Sequence, residues 1–407
     1  MPTFPSIDDQ LKTILRGSAQ VETEAELRKK LEKSQTTGKP LRVKYGIDPT
    51  GFDVHLGHTV ALRKLRQFQE LGHKAVLILG TATAAVGDPS GRDQSRQGLN
   101  TEQIEKNAQT YLTQIAKVID VTKAEVRPNG EWFSKFGFAE MLRLLGQMTV
   151  QQMQERDDFA KRIKEKEPIF LHECLYPLMQ GWDSVVIEAD VELGGTEQLY
   201  NLMVGRDLQR TSGQEPQICL TMPLLRGLDG VKKMGKSLGN YIGLNESAKE
   251  QFGKTMRIPD ELMNEWFTLL TDRSQDEIKQ IVSGHPNEAK KLLASDIASF
   301  YHGSEAATAT LADWNKQFGG GGKQDPDNID DVTLCSSCVT AGAMSVIDLL
   351  VETKLCTSKG EARRKIEEKA FNYGPERTKV TDVKATVPIT DGLVLRLGRK
   401  ILRVRLS

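Results

Sequence analysis

The sequence predicts an α/β protein: a doubly wound, mostly parallel sheet, followed by an all-α stretch and a small α+β tail. Three observations lead there. Short apolar runs alternate with helical periodicity across residues 1–250. From about Phe252 to Phe318 the strand signals stop, and "DELMNEWFTLL", "DEIKQIV" and "NEAKKLLASDIASFY" all repeat at helical spacing. A glycine-rich stretch, "GGGGKQDPDNIDD", then separates a short basic module from the rest.

The elements follow in order. Residues 1–36 read as helix, with charged and apolar positions mixed in "EAELRKKLEKS". "LRVKYGI" (Leu41–Ile47) reads as a strand. "HTVALRKLRQFQELG" follows as a helix with Ala61, Leu65 and Phe68 on one face and Gly72 at its end. "KAVLILG" is a buried strand, and Thr101 to Val121 is a helix with Ile104, Ala108, Tyr111, Ile115 and Val118 at spacings of 3 and 4. "SVVIEADV" (Ser184–Val191) and "PQICL" (Pro216–Leu220) are strand-like. Four units result: 1–250, Rossmann-like with a helical N-terminal extension; 251–318, all-helical; 319–341, a linker; and 342–407, the α+β module.

Composition bounds the class. At 407 residues the chain exceeds one core, and its longest apolar runs are strand-length, so no membrane span is expected. The N-terminus lacks the basic-then-apolar order of a secretory signal. Five cysteines without an even framework indicate a reducing compartment, and the reading is cytoplasmic. Net charge is zero, yet Lys354 to Ser407 holds 14 Lys/Arg against 6 Asp/Glu, leaving the tail at +8 and the body at −8. A basic end module on an acidic body points to a polyanionic partner, with a solubilising tail as the bland alternative.

Two short motifs carry chemistry. "YGIDPTGFDVHLGH" (Tyr45–His58) runs from the first strand onto the first turn of the next helix, the crevice where such sheets bind ligands. His55 and His58 flank Gly57 and can face one ligand from a helix N-terminus, which favours phosphate. Zinc would need further ligands, and neither Cys nor another His lies near, so no protein-bound metal is expected. "KMGKS" places Lys233, Lys236 and Ser237 in a glycine-bearing loop. A third pattern, "LYPLMQGWDS", sets Tyr176, Gln180 and Asp183 on one helix face, a set suited to an aromatic substrate with a polar tip.

The pair H-x-G-H early and K-M-x-K-S late, on an α/β background, resembles the class I aminoacyl-tRNA synthetases. With "GDPSGR" (Gly87–Arg92), Y-x-x-x-Q-x-x-D and "GGTEQLYN" (Gly194–Asn201), the resemblance sharpens to the bacterial tyrosyl-tRNA synthetases over nearly the whole chain. It implies that tyrosine and ATP with Mg2+ form tyrosyl-adenylate, which is passed to the 3′ adenosine of tRNA(Tyr) by a homodimer. By resemblance, His55, His58, Lys233, Lys236 and Ser237 serve catalysis. Thr50, Gly57, Arg92, Arg96, Gly194, Gly195 and Glu197 join them around ATP. Thr83, Asp88, Tyr176 and Gln180 hold the substrate amino group, Asp183 reads the phenol, and Gln198 lies beside the carboxylate. Residues 251–318 would meet the anticodon side of the tRNA.

The tail's "SKGEARRKIEEKAFNYG" is similar to a small RNA-binding domain of ribosomal-protein type, presenting Lys359, Arg363, Arg364 and Lys365 to phosphates. The "CSSC" pair, Cys335 and Cys338, has zinc-like spacing without a second pair. Three positions depart from the commonest family pattern: Lys44 where a second tyrosine often stands, Glu197 for aspartate, and Gly235 for serine. The rivals are a tryptophanyl-tRNA synthetase, a non-catalytic RNA-binding protein on the same fold, and a small-molecule adenylyltransferase.

Overall fold

The computed structural model describes residues 4–49, 54–87, 101–318, 325, 329–335, 339, 342–398 and 400–407. The chain divides into two compact units, Met1–Thr308 and Ala309–Ser407. The first is organised by six strands: β1 (Gln20–Glu22), β2 (Arg42–Ile47), β3 (Lys74–Leu79), β4 (Glu125–Pro128), β5 (Val191–Gly195) and β6 (Ile218–Met222). Their order is β1-β6-β5-β2-β3-β4, with β1 antiparallel to β6 and every other pair parallel. The order reverses between β2 and β5, so the C-terminal ends of those two strands flank the crevice that such a reversal opens.

The helix Leu56–Glu70 buries far more than the predicted stripe. Leu56, Val60, Ala61, Leu62, Leu65 and Phe68 are buried, and so are Arg63 and Lys64. Its Lys64 ammonium donates to the carbonyls of Thr13 and Arg16, both at 2.9 Å. Covered on more than one side, this helix needs polar partners where an amphipathic surface helix would use water.

Two segments differ from the sequence-based reading. Residues 1–36 are not one helix: Ile7–Leu15 ends before Gly17 (φ +70°), β1 follows, and Thr23 caps a second helix, Glu24–Thr37. A three-residue edge strand is set by pairing with β6, which no local pattern encodes. The predicted strand Ser184–Val191 also shifts. Its β-branched Val185 and Val186 finish the helix Leu175–Val186, Glu188 turns through φ 51°, and the strand begins only at Val191. Packing against the helix Leu199–Thr211 overrides the local β preference.

Residues from the helical stretch, including Ile258, Trp266, Phe267, Leu293 and Ile297, share one core with Leu65, Leu77 and Val191. In the second unit the sheet runs β10 (Thr378–Lys379), β9 (Phe371–Tyr373), β12 (Val394–Leu397), β13 (Lys400–Leu406), β7 (Asp330–Leu334). A separate pair joins β8 (Ala343–Ser345) to β11 (Thr386–Pro388). Its own core centres on Leu349, Phe371, Leu395 and Val404.

β7 lies within the expected linker. It pairs in parallel with β13 from Asp330 opposite Leu402 to Leu334 opposite Leu406. Asp325 accepts from Arg396 Nε at 2.7 Å and from Arg377 at 3.0 Å. The acidic, glycine-led composition therefore hides an edge strand that the tail itself recruits.

Candidate active site

The crevice at the ends of β2 and β5 holds a cavity of about 270 Å³. Of the predicted residues it brings together His58, Thr83, Tyr176, Gln180, Asp183, Gly194, Gly195, Glu197 and Gln198. Tyr45, Asp48, Tyr111 and Leu193 complete the wall. Asp48 was not assigned a role from sequence, yet it organises one side. Its carboxylate accepts from the Thr83 hydroxyl at 2.8 Å and from the Tyr176 phenol at 2.9 Å. Gly80 makes this possible, because a Cβ there would lie 1.9 Å from Asp48 Oδ1.

Asp183 is 3% exposed. Oδ1 accepts from the Trp132 indole at 3.0 Å, and Oδ2 from Asn129 Nδ2 at 3.4 Å. Burial pushes its carboxyl up to about 7, partly countered by Lys44 and by these two hydrogen bonds. Asn129 also donates to Thr83 Oγ1 at 3.1 Å, linking the two sides. Neither Asn129 nor Trp132 was found by sequence reasoning. They follow β4 in a segment with no motif, and only the fold brings them here.

On the far side, Gln180 Nε2 donates to Glu192 at 3.0 Å. Asn201 Nδ2 donates to both Gln180 Oε1 and Gln198 Oε1 at 3.0 Å. The glycines of "GGTEQ" have a close-approach role: a Cβ on Gly195 would lie 2.4 Å from the Glu197 carboxylate, and one on Gly194 2.9 Å from Gln198. Lys44 faces away from this wall. Its side chain is wholly buried and ion-paired to Glu192, and it is not among the residues that line the cavity, unlike the second tyrosine expected at this position. Side chains alternate along a strand, so Tyr45 points where Lys44 does not.

The histidine pair forms a cap. His55 is the N-cap of Leu56–Glu70; its Nδ1 accepts from Gly57 N at 3.2 Å, while His58 Nδ1 accepts from His55 N at 3.2 Å. The rings stack with centroids 3.8 Å apart. With both Nδ1 atoms accepting, a neutral ring carries its proton on Nε2, so each offers an N–H donor on its outer edge. Desolvation lowers both rings below the ordinary histidine range; His58 then opposes protonation of His55, and the Lys236 ammonium opposes both. Gly57 also carries a steric constraint within the cap: a Cβ there would lie 2.9 Å from the His55 ring.

The signature loop is tied down at its base. Asn240 is buried; its Oδ1 accepts from Gly235 N at 2.9 Å, and its Nδ2 donates to Asp229 at 2.7 Å and to the Lys233 carbonyl at 3.2 Å. Met234 is buried, whereas Lys233 and Ser237 are exposed and Lys236 half-buried. After the loop, the stretch Ile242–Leu244 pairs with the histidine segment: Leu56 N donates to Ile242 O at 3.0 Å and Leu244 N to Val54 O at 2.9 Å. Tyr241 sets its ring 6.1 Å from that of His55. The first signature is thus joined by main-chain bonds to the stretch just past the second, a link that 170-odd residues of separation conceal.

Thr50, Asp88, Arg92, Arg96 and Cys338 lie outside the described residues. Lys359, Arg363, Arg364 and Lys365 belong to the second unit, on the helix Lys359–Glu367. Lys359, Arg363 and Arg364 are exposed and Lys365 is half-buried. Lys359 pairs with Asp348 at 2.8 Å, and Lys365 with Glu368 at 2.7 Å.

The family model described as "tRNA synthetases class I (W and Y)" matches residues 36–319. The chain is similar to proteins named "Tyrosine--tRNA ligase". It is 50% identical to that of Symbiobacterium thermophilum over 404 residues, covering 98% of this chain and 97% of the relative. It is 48% identical to that of Oleidesulfovibrio alaskensis over 401 residues, covering 97% and 98%. Among solved structures, the tyrosyl-tRNA synthetase from Archaeoglobus fulgidus complexed with L-tyrosine superposes with a TM-score of 0.61 at 24% identity. That match covers 75% of this chain and all of the other. A C-terminally truncated mitochondrial enzyme from Aspergillus nidulans gives 0.63 at 22% identity, covering 77% and 94%. Likeness at that identity speaks to the fold.

Proposed function

The chain belongs to the class I tRNA synthetases, in their tyrosine-specific branch, and on that premise we propose how its residues divide the work of joining tyrosine to tRNA. The supporting observation is the single cavity that runs from buried Asp183 to His58 past Gln180, Gly194 and Gln198. Tyrosine enters with its phenol against Asp183, which accepts the hydroxyl. Its ammonium group meets Gln180, Tyr176 and Thr83, with Asp48 fixing the last two. Gln198 stands beside the carboxylate, and Asp88 completes the ammonium side.

ATP lies over Gly194, Gly195 and Glu197, its phosphates toward the Nε2–H edges of His55 and His58. Thr50, Arg92 and Arg96 assist there. The tyrosine carboxylate attacks the α-phosphorus and pyrophosphate leaves. Lys233, Lys236 and Ser237 engage the charge that builds on that leaving group, so their contribution is greatest in the transition state. Magnesium would arrive with the ATP phosphates and offset their negative charge; of the cavity carboxylates Asp48, Asp183 and Glu197, Glu197 lies beside Gly194 and Gly195 on the ATP side and would face it. Neutral histidines fit this role, since N–H donors bind phosphate without drawing a proton into the leaving group.

The tyrosyl group then passes to the terminal adenosine of tRNA(Tyr). Exposed Lys359, Arg363 and Arg364, with Lys365, meet RNA phosphates, and the helices of 251–318 meet the anticodon side. A homodimer is part of this reading. Phe138, Leu142, Val150, Phe170 and Leu171 are exposed large apolar residues within one segment, as a self-complementary interface would require. The cytoplasm is the compartment, in keeping with five cysteines in no even framework. Pyrophosphate exchange across the twenty amino acids tests the assignment. Tyrosine alone should support it; activation of tryptophan instead would overturn the phenol reading.

A further inference from the structure

The strand register sets Lys44 of β2 directly opposite Glu192 of β5. Both side chains have no exposure. Lys44 Nζ stands 2.9 Å from Glu192 Oε1 and donates to Ser184 Oγ at 2.8 Å and to the Gln180 main-chain carbonyl at 2.6 Å. Three donors meet three acceptors, so the ammonium keeps nothing for a ligand. Glu192 in turn accepts from Ser184 Oγ at 3.1 Å, from Gln217 Nε2 at 2.5 Å and from Gln180 Nε2 at 3.0 Å.

Stability does not explain the pair. Desolvating two charges offsets most of their attraction, and apolar residues of similar volume commonly do as well. What the pair does fix is the orientation of one amide. A carboxylate only accepts, so the Gln180 carboxamide must turn its Nε2 to Glu192 and its Oε1 the other way. Asn201 reinforces that orientation by donating to Oε1. Gln180 lines the cavity. The end left for a ligand is an acceptor, which suits an ammonium group and repels nothing on it.

We propose that Lys44 and Glu192 are a positioning pair for amino-acid binding: Glu192 aims the oxygen of Gln180 at the substrate ammonium, and Lys44 holds Glu192 in register. This rests on the reading of Gln180 as an ammonium partner. Without the acceptor at position 192 the amide turns over in part, presenting N–H to a cation.

The test compares tyrosine with 3-(4-hydroxyphenyl)propionate, which keeps phenol and carboxylate but has no ammonium. Tyrosine KM and kcat in pyrophosphate exchange, and inhibition by the analogue, are measured for two variants free of buried charge. Lys44→Met/Glu192→Leu has no acceptor at 192; its tyrosine KM should rise about tenfold, with kcat and analogue inhibition little changed. Lys44→Met/Glu192→Gln restores an amide oxygen there, and the rise should shrink to about threefold. A loosened core would weaken both ligands equally, and that result overturns the proposal. Gln180→Ala separates the two levels of argument. If it leaves the ratio of tyrosine to analogue affinity unchanged, the reading of Gln180 falls. If it shifts that ratio while both double variants do not, only the positioning pair falls. Should the leucine variant fail to fold, the glutamine variant decides alone: an unchanged ratio overturns the proposal.

Discussion

The two ends of the cavity are built on opposite plans. At the amino-acid end, Asp183 is nearly without exposure, Lys44 and Glu192 are wholly buried, and each carboxylate oxygen already has a donor. At the phosphate end, Lys233 and Ser237 are exposed, Lys236 is half-buried, and His58 opens onto the cleft. On the proposed division of labour, the difference follows from the tasks. Discrimination between similar side chains needs groups whose partners cannot be replaced by water, so a wrong ligand leaves them unpaired. Stabilising a departing pyrophosphate needs charge that reaches the transition state more fully than the ground state. One end is rigid by hydrogen bonding throughout; at the other, Asn240 ties the base of the loop and the histidines cap each other, while Lys233 and Ser237 reach into solvent.

The largest expected effect breaks the phosphate end. Lys236→Ala should lower kcat for pyrophosphate exchange by about a thousandfold while tyrosine binding changes little. Single-turnover adenylate formation alongside equilibrium tyrosine binding measures both, and equal damage to the two would erase the contrast between the ends.

Asp183→Ala should cut the preference for tyrosine over phenylalanine by about a hundredfold, since phenylalanine no longer strands a buried carboxylate. The same group gives a pH signature. Its folded value is raised to about 7, so the carboxyl is protonated below that pH and the phenol loses an anionic acceptor. Tyrosine affinity should therefore weaken as pH falls through about 7, and Asp183→Asn should flatten the profile. The stability sign is opposite. A raised carboxyl stabilises the fold most below its unfolded value near 4, and that contribution, up to roughly 4 kcal/mol, is lost as pH rises through 7. Thermal melts of wild type and Asp183→Asn should converge at pH 4 and separate in favour of the variant at pH 8.

Ending the chain before Lys323 should leave exchange intact and lower transfer to tRNA by about tenfold or more, with a shallower salt dependence. The cut removes Asp325 and β7 together with the sheet they join, so it takes the tail's fold away whole. A cut at residue 342 would instead leave β7 without its partner strand, and proteolysis should find that stub. Equal loss of exchange and transfer in a folded truncation would mean the tail supports the active site.

The smallest effect is the most local. Gly57→Ala places a Cβ 2.9 Å from the His55 ring and should disturb the reciprocal cap. Exchange should fall about tenfold, through KM for ATP, with tyrosine KM unaffected. A change in tyrosine KM of the same size would mean the two ends are not independent.

The sequence by itself determined the alternation of strands and helices, the two signature motifs and the helix face that carries Tyr176, Gln180 and Asp183. All of these are local: periods of two or of 3.6, and residue types at fixed spacing, are properties of the chain before it folds. What only the tertiary structure decided is non-local. Val185 and Val186 look like strand until packing of Val185 against a neighbouring helix makes both the end of a helix. Asp330–Leu334 looks like linker until β13 offers it an edge. Asn129, Trp132 and Glu192 carry no motif, and Asn201 closes one without a role of its own there; they matter because the sheet order carries them to Asp183 and Gln180. Lys44 and Tyr45 are neighbours in sequence, and the pleat sends one to a buried carboxylate and the other to the cavity. A hydrogen-bond network is a property of several segments at once, so no single stretch of residues can announce it.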